Sequence, residues 1–219
     1  MATPNLPSDQ ALLRVAIDAF GRYGLEGAST RNIAGAAGKP MSAITYHFGG
    51  KDGLYLACAQ HIADTIGAMV APALDQVATL CRADASPAQA RAGLSMIFTG
   101  FVQTMVSEET AQFSRFIMRE QMEPSAAFEI LYGGVMGSML THVTDLLIVV
   151  SGGRLSRGEA QVRTIALMGQ VMAFRVAHAA VMRTTGWTSI GPDQAAAINQ
   201  SIQRHLAAIL DALEAGDGI

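Results

Sequence analysis

Lys39 and Lys51 are the only lysines in the chain, and both fall within the thirteen residues KPMSAITYHFGGK. Between them stand hydroxyls, one imidazole and small or flexible side chains: Met41, Ser42, Ala43, Thr45, Tyr46 and His47. If this segment is a helix closed by Gly49-Gly50, its exposed face is neither charged nor crowded. Small residues let a helix backbone enter a DNA major groove, and hydroxyl and imidazole groups reach base edges and phosphates. Lys51 then opens the next helix, where unpaired N–H groups favour an anion. A lysine there opposes the helix dipole, so a phosphate held by both would explain its position. Lys39, beside Pro40, is placed for a contact with the DNA backbone.

Such residues need a corner that presents them. Ser29 or Thr30 starts a short helix that stops at Gly38, and Pro40 enforces the break. A second short helix runs from about Met41 to His47. Ile33 and Ile44 are spaced to pack the two together, Ala34 permits close approach, and Gly38 supplies positive φ at no steric cost. The spacing Ile-Ala-x3-Gly-x5-Ile predicts a helix-turn-helix. A plain helical corner with incidental lysines would share the same periodicity.

Half of the 219 residues are hydrophobic and 15% are charged, so a sizeable core is available and disorder is not expected. The formal charge of −3 excludes a coat of positive charge, though not a local basic face. Residues 1–60 carry five basic and four acidic side chains, whereas the remainder carry 10 and 14. Helical periodicity runs throughout and strand alternation is absent. Expected helices run from a Ser8 cap to Gly24, from Lys51 with Leu54, Cys58, Ile62 and Ile66 on one face, and from Ser86-Pro87. Others span Thr110 to Met122, Ser125 to Val150, Ser156 (with Glu159 as capping box) to Thr185, and Asp193 to Gly216. The fold class is therefore all-α. A short-helix domain carrying the helix-turn-helix occupies residues 1–50, with the start of a connecting helix to about 60, and a larger helical domain occupies 51–219. Cys58 and Cys81 match no metal or redox spacing and read as reduced, buried thiols. The N-terminus lacks the pattern of a signal peptide, and apolar runs such as Leu146 to Val150 are too short to span a bilayer. The expectation is a soluble cytoplasmic protein with no membrane partner.

The stretches "AFGRYGLEGASTRNIAGAAG" and "YHFGGKDGLY", within Ala11 to Ala59, resemble the TetR/AcrR family of bacterial transcriptional regulators. "MREQMEP" and "GQVMAFRVAHAAVMRTTGW" look similar to its CecR-like subgroup. The resemblance implies a dimeric regulator that binds double-stranded operator DNA, with an effector-binding helical domain and dimerisation through the last two helices. By position, Thr30 and Arg31 look like backbone and base contacts, and Met41, Ser42 and Ala43 fall at base-reading positions. Thr45, Tyr46, His47 and Lys51 fall where phosphates are held. Thr45 stands where the family commonly has Tyr, and Lys39-Pro40 replaces its usual turn pair.

Independently of the family, the last two helices offer apolar faces for a homodimer through about 156–185 and 193–215. These are Val162, Ile165, Met168, Met172, Val176 and Ala179, and Ile198, Ile202, His205, Ile209 and Leu213 with Leu206 and Leu210 beside them; an intramolecular core would show the same pattern. Nine of twelve methionines lie between Met96 and Met182, among polar groups that could bind an effector: Arg115, Arg119, Glu120, His142, Gln170, Arg175 and His178. Rim salt bridges and a satisfied core histidine explain the same residues equally well. The expected effector is a small apolar molecule with a polar or anionic end, which releases a repressor from a palindromic operator. No cofactor or metal is implied, and no metal, nucleophile-elbow or phosphate-loop motif points to an enzyme. A helical adaptor or an enzyme without DNA binding is the alternative.

Overall fold

The structure is a computed structural model that describes residues 7–80 and 85–216, and every regular element among them is helical. In chain order these are α1 (Pro7–Gly27), α2 (Thr30–Ala36), α3 (Ser42–Phe48), α4 (Lys51–Leu80), α5 (Pro87–Val106), α6 (Glu108–Ala111) and α7 (Ser114–Met122). After them come α8 (Ala126–Leu131), α9 (Gly137–Val150), α10 (Arg157–Val176), α11 (His178–Thr185) and α12 (Pro192–Ala215). The helices gather into two compact units, Met1–Gly67 with Gln112–Val135, and Ala68–Ala111 with Met136–Ile219. The first unit thus runs past residue 50 into α4 and takes in α7 and α8 from later in the chain.

In the first unit, Leu13, Ile17 and Phe20 of α1 meet Ile33, Ile44, Leu54, Cys58 and Ile62, with Phe113 and Phe116 completing the core. Tyr55 is clasped between rings, 4.9 Å edge-on from Phe20 and 4.7 Å from Phe116. Burial holds the Cys58 thiol above its ordinary pKa, so it stays protonated; Cys81 lies outside the described residues. In the second unit, Leu94, Phe98 and Phe101 of α5 pack with Val143, Leu147, Leu167, Met168, Ile202, Leu206 and Leu210.

Several boundaries differ from the sequence expectation, each for a local reason. Ser8 falls within α1, which begins at Pro7 and continues to Gly27 across a kink at Gly24. The segment from Thr110 to Met122 is two helices, because the chain turns at Gln112-Phe113. The helix expected from Ser125 to Val150 starts as expected, with Ser125 accepting from Ala127 N, but is interrupted by a π-helical turn at Tyr132–Met136. Gly134 leaves helical geometry there, and a Cβ on it would stand 3.2 Å from Ala63 Cβ. The helix expected to reach Thr185 has its Ser156–Glu159 capping box but breaks at Ala177, where α11 turns away by 77°. The last helix is capped at Gly191, whose N–H is held by Gln194 Oε1 at 3.1 Å, and Asp193 sits in its first turn.

Lys51–Thr79 and Ala126–Val150 are each long and apolar enough to cross a membrane by length and composition, although the longest uninterrupted apolar run is short. Part of each packs into protein: Leu54, Cys58 and Ile62 in one core, Met139, Val143 and Leu147 in the other.

Candidate nucleic-acid interface

The corner forms because each turn has a specific cap. Ser29 accepts a hydrogen bond from Asn32 N (3.4 Å), which satisfies one of the free donors of α2. At its other end Gly38 adopts φ 65°, and Lys39 N donates to Ala34 O at 2.9 Å, folding the chain back before Pro40. Ile33, Ala34 and Ile44 are buried together, as the spacing predicts, which fixes α3 against α2. Gly49, at φ 74°, ends α3 and donates to Thr45 O.

What remains outside is the face read from the sequence. Met41, Ser42, Thr45, Tyr46 and His47 are exposed, Tyr46 to 85%, and Ala43 is half-buried between them. The Tyr46 and His47 rings lie edge-on at 5.0 Å. Arg31 is exposed on the first turn of α2, with Thr30 and Lys39 half-buried on either side of the corner. The structure therefore brings together nine of the ten candidate residues on one corner.

Lys51 is the tenth, and its surroundings add something the spacing did not contain. Its ammonium donates to Glu26 O at 2.9 Å, a carbonyl in the last turn of α1. The charge that opposes the dipole of α4 is thus met by the negative end of α1. An ammonium has three donors, so two remain beside the Gly49-Gly50 turn. Gly53 was missed in the sequence, although it follows the glycine pair in GGKDG. A Cβ there would fall inside the Phe48 carbonyl oxygen, so the close seating of α3 on the first turn of α4 requires glycine.

The seven effector candidates are divided between the two units. Arg115, Arg119 and Glu120 lie in the first unit, and His142, Gln170, Arg175 and His178 in the second. Arg115 is an exposed partner of Asp18 at 3.6 Å, and Arg119 reaches Glu123 at 3.7 Å. Glu120 is 1% exposed and structural. Its carboxylate accepts from Tyr55 Oη at 2.5 Å and from Ser125 N and Oγ at 3.1 and 2.8 Å. Burial first, and then this carboxylate, hold the Tyr55 phenol above its ordinary pKa. His142 is half-buried and pairs its Nδ1 with Ser138 O of its own helix at 2.7 Å. His178 is exposed at the start of α11. Gln170 meets His205 at 3.2 Å in an open groove of about 540 Å³ between α10 and α12. Of these seven, Arg175 is the half-buried cation with no carboxylate within 4.0 Å among the described residues.

The apolar faces of the last helices also need correction. Ile198, Ile202, Leu206, Leu210 and Leu213 of α12 are buried in their own unit, as is Met168 of α10. The uncovered apolar residues are Val162 (71% exposed), Ile165 (60%) and Val176 on α10.

A rigid corner of two short helices with an uncharged, exposed second helix defines a helix-turn-helix DNA-binding regulator. Residues 12–58 match the family described as bacterial regulatory proteins, tetR family. Residues 90–213 match the C-terminal domain of the HTH-type transcriptional dual regulator CecR. CecR of Shigella flexneri is 34% identical over 206 residues, covering 92% of this chain and 91% of that protein. Among solved structures, a transcriptional regulator from Pseudomonas aeruginosa PAO1 aligns with a TM-score of 0.65 at 18% identity, covering 97% of this chain and 94% of the other. A TetR-like regulator from Rhodococcus sp. RHA1 aligns with a TM-score of 0.62 at 21% identity, covering 94% and 99%. The chain belongs to the TetR family, with a CecR-type C-terminal domain, and is a sequence-specific DNA-binding transcriptional regulator.

Proposed function

We propose that the chain works in the cytoplasm as a homodimeric repressor, without enzymatic activity, that leaves a palindromic operator when a small apolar effector binds its second unit. The observation that carries the DNA-reading half is the corner itself: α3 is fixed by buried Ile33, Ala34 and Ile44 while its outer face stays open. Met41, Ser42 and Ala43, with Arg31, read base edges in the major groove. Thr30, Lys39, Thr45, Tyr46, His47 and the spare donors of Lys51 hold phosphates. Two-fold symmetry supplies the specificity that one seven-residue helix lacks, since two half-sites are read together. The exposed Val162, Ile165 and Val176 and the α10–α12 groove support a second copy packing there. Effector control follows if the ligand binds one conformation better than the other.

Binding by variants of the purified protein to selected DNA tests the reading. Tyr46→Ala should weaken binding evenly across sequences, and Arg31→Ala and Ser42→Ala should change which sequences are preferred. Indifference of DNA binding to all three would remove the proposed docking.

A further inference from the structure

Among the described residues of the second unit, two buried polar atoms have no hydrogen-bond partner, Arg175 Nε and Asn199 Oδ1. Such orphans are rare in folded proteins and call for an explanation. Arg175 does not lack contacts altogether: its Nη2 donates to Ser107 O at 2.6 Å and to Thr110 Oγ1 at 3.3 Å. Those contacts hold one arm of the guanidinium at the end of α5 and leave Nε unused. Burial lowers the arginine's pKa from its ordinary value, as expected for a desolvated cation without a counter-charge.

Helix register places Asn199 near the same end. α12 runs antiparallel to α5, since Gln203 bonds Ser95 and Thr99 while Arg91 reaches Ala207 O. One turn before Gln203, Asn199 comes level with roughly residues 99 to 103 of α5. Ser107, which Arg175 contacts, is then roughly 6–12 Å further along the axis. Met105, Val106, Met172 and Phe174 adjoin these positions in the chain and are only partly buried against the core.

We propose that Arg175 and Asn199 form the polar end of the effector site, and that the effector is an amphipathic anion, with a carboxylate, phosphate or sulfonate on an apolar body. The guanidinium fork suits a planar or trigonal anion, which would accept from the free Nε. Asn199 Oδ1 would accept from a hydroxyl or amide of the same ligand. This rests on the reading that the second unit takes an effector.

The test uses the full-length protein and its single tryptophan, Trp187, which is partly buried against the same core and reports binding by fluorescence. Probes are matched pairs: decanoate with decanol, decyl phosphate with decanol, and 1-naphthylacetate with its amide. At least one anion should bind tenfold or more tightly than its neutral partner. Arg175→Gln should abolish that preference and Arg175→Lys should keep part of it, while Asn199→Leu should weaken 3-hydroxydecanoate, whose hydroxyl can donate to Oδ1, severalfold more than decanoate. Should the glutamine variant not fold, the lysine and leucine variants decide. The proposal is overturned if no anion exceeds its neutral partner, or if the folded variants bind the anion as the parent does. Operator affinity is measured separately. Anion binding that leaves it unchanged removes the effector-switch reading but keeps this site, and loss of the site leaves switching by other ligands open.

Discussion

Gly53 shows how one missing methyl can fix a DNA-reading helix. The Phe48 carbonyl at the end of α3 occupies the space that any side chain at position 53 would need. Gly53→Ala must push α3 off α4, and overpacking of this kind costs roughly 2–3 kcal/mol. We expect a lower unfolding midpoint together with loss of DNA affinity. An alanine variant as stable as the parent would show that the seating is looser than described. Lys51 carries a comparable dual role, since its ammonium already serves Glu26 O. Lys51→Met should therefore cost some stability as well as DNA affinity, and a loss of affinity alone would mean that the helix-end contact contributes nothing. His61 offers a pH test. Burial lowers its pKa below the ordinary value, and its ring lies 6.2 Å from Phe113. The folded state then binds fewer protons than the unfolded chain, so this contribution is present above about pH 6.5 and is lost as pH falls through the folded pKa. Urea titrations between pH 7.5 and 5 should show a shallower pH dependence in His61→Gln than in the parent. Equal slopes would contradict the burial argument.

At the scale of elements, the Glu120 carboxylate is the joint of the first unit. It receives Tyr55 of α4 on one oxygen and the N-cap Ser125 of α8 on the other, so one buried side chain ties three helices. Removing the phenol leaves a buried carboxylate oxygen short of its partner. Tyr55→Phe should destabilise by about 2 kcal/mol, read from chemical unfolding. A change under half a unit of kcal/mol would mean that water or another donor replaces the hydroxyl. The sequence contained the elements better than it contained these joints. Helix caps at Ser29, Ser86, Ser125 and Ser156 are local chemistry and were legible where they stood. The break at Ala177 was not, because alanine is a good helix former and nothing local marks the bend. Glu120 stands out in the sequence as a polar group among apolar helices, whereas its partner Tyr55, 65 residues away, leaves no trace in spacing. The exposed residues of the corner were legible since one short segment holds nearly all of them. The effector candidates came from distant segments, so their division between two units needed coordinates.

The whole molecule is expected to act as a pair. Apolar periodicity in α12 marks the intramolecular core, and the surface left for a partner is the exposed stripe of α10 beside the groove. Ile165→Glu places a charge on that stripe, where burial against a second copy would be costly. Sedimentation should find a monomer where the parent is a dimer, with operator affinity falling in step, since half-sites are then read singly. A dimeric, fully active variant would place the interface elsewhere. The central claim, a symmetric reader of DNA, is tested most directly by selecting bound sequences from a random double-stranded library with the purified protein. The predicted result is an inverted repeat whose half-site centres lie about 34 Å or a multiple apart, with Ser42→Ala altering the same base in both halves. An unenriched library, or a single half-site with no repeat, would contradict it.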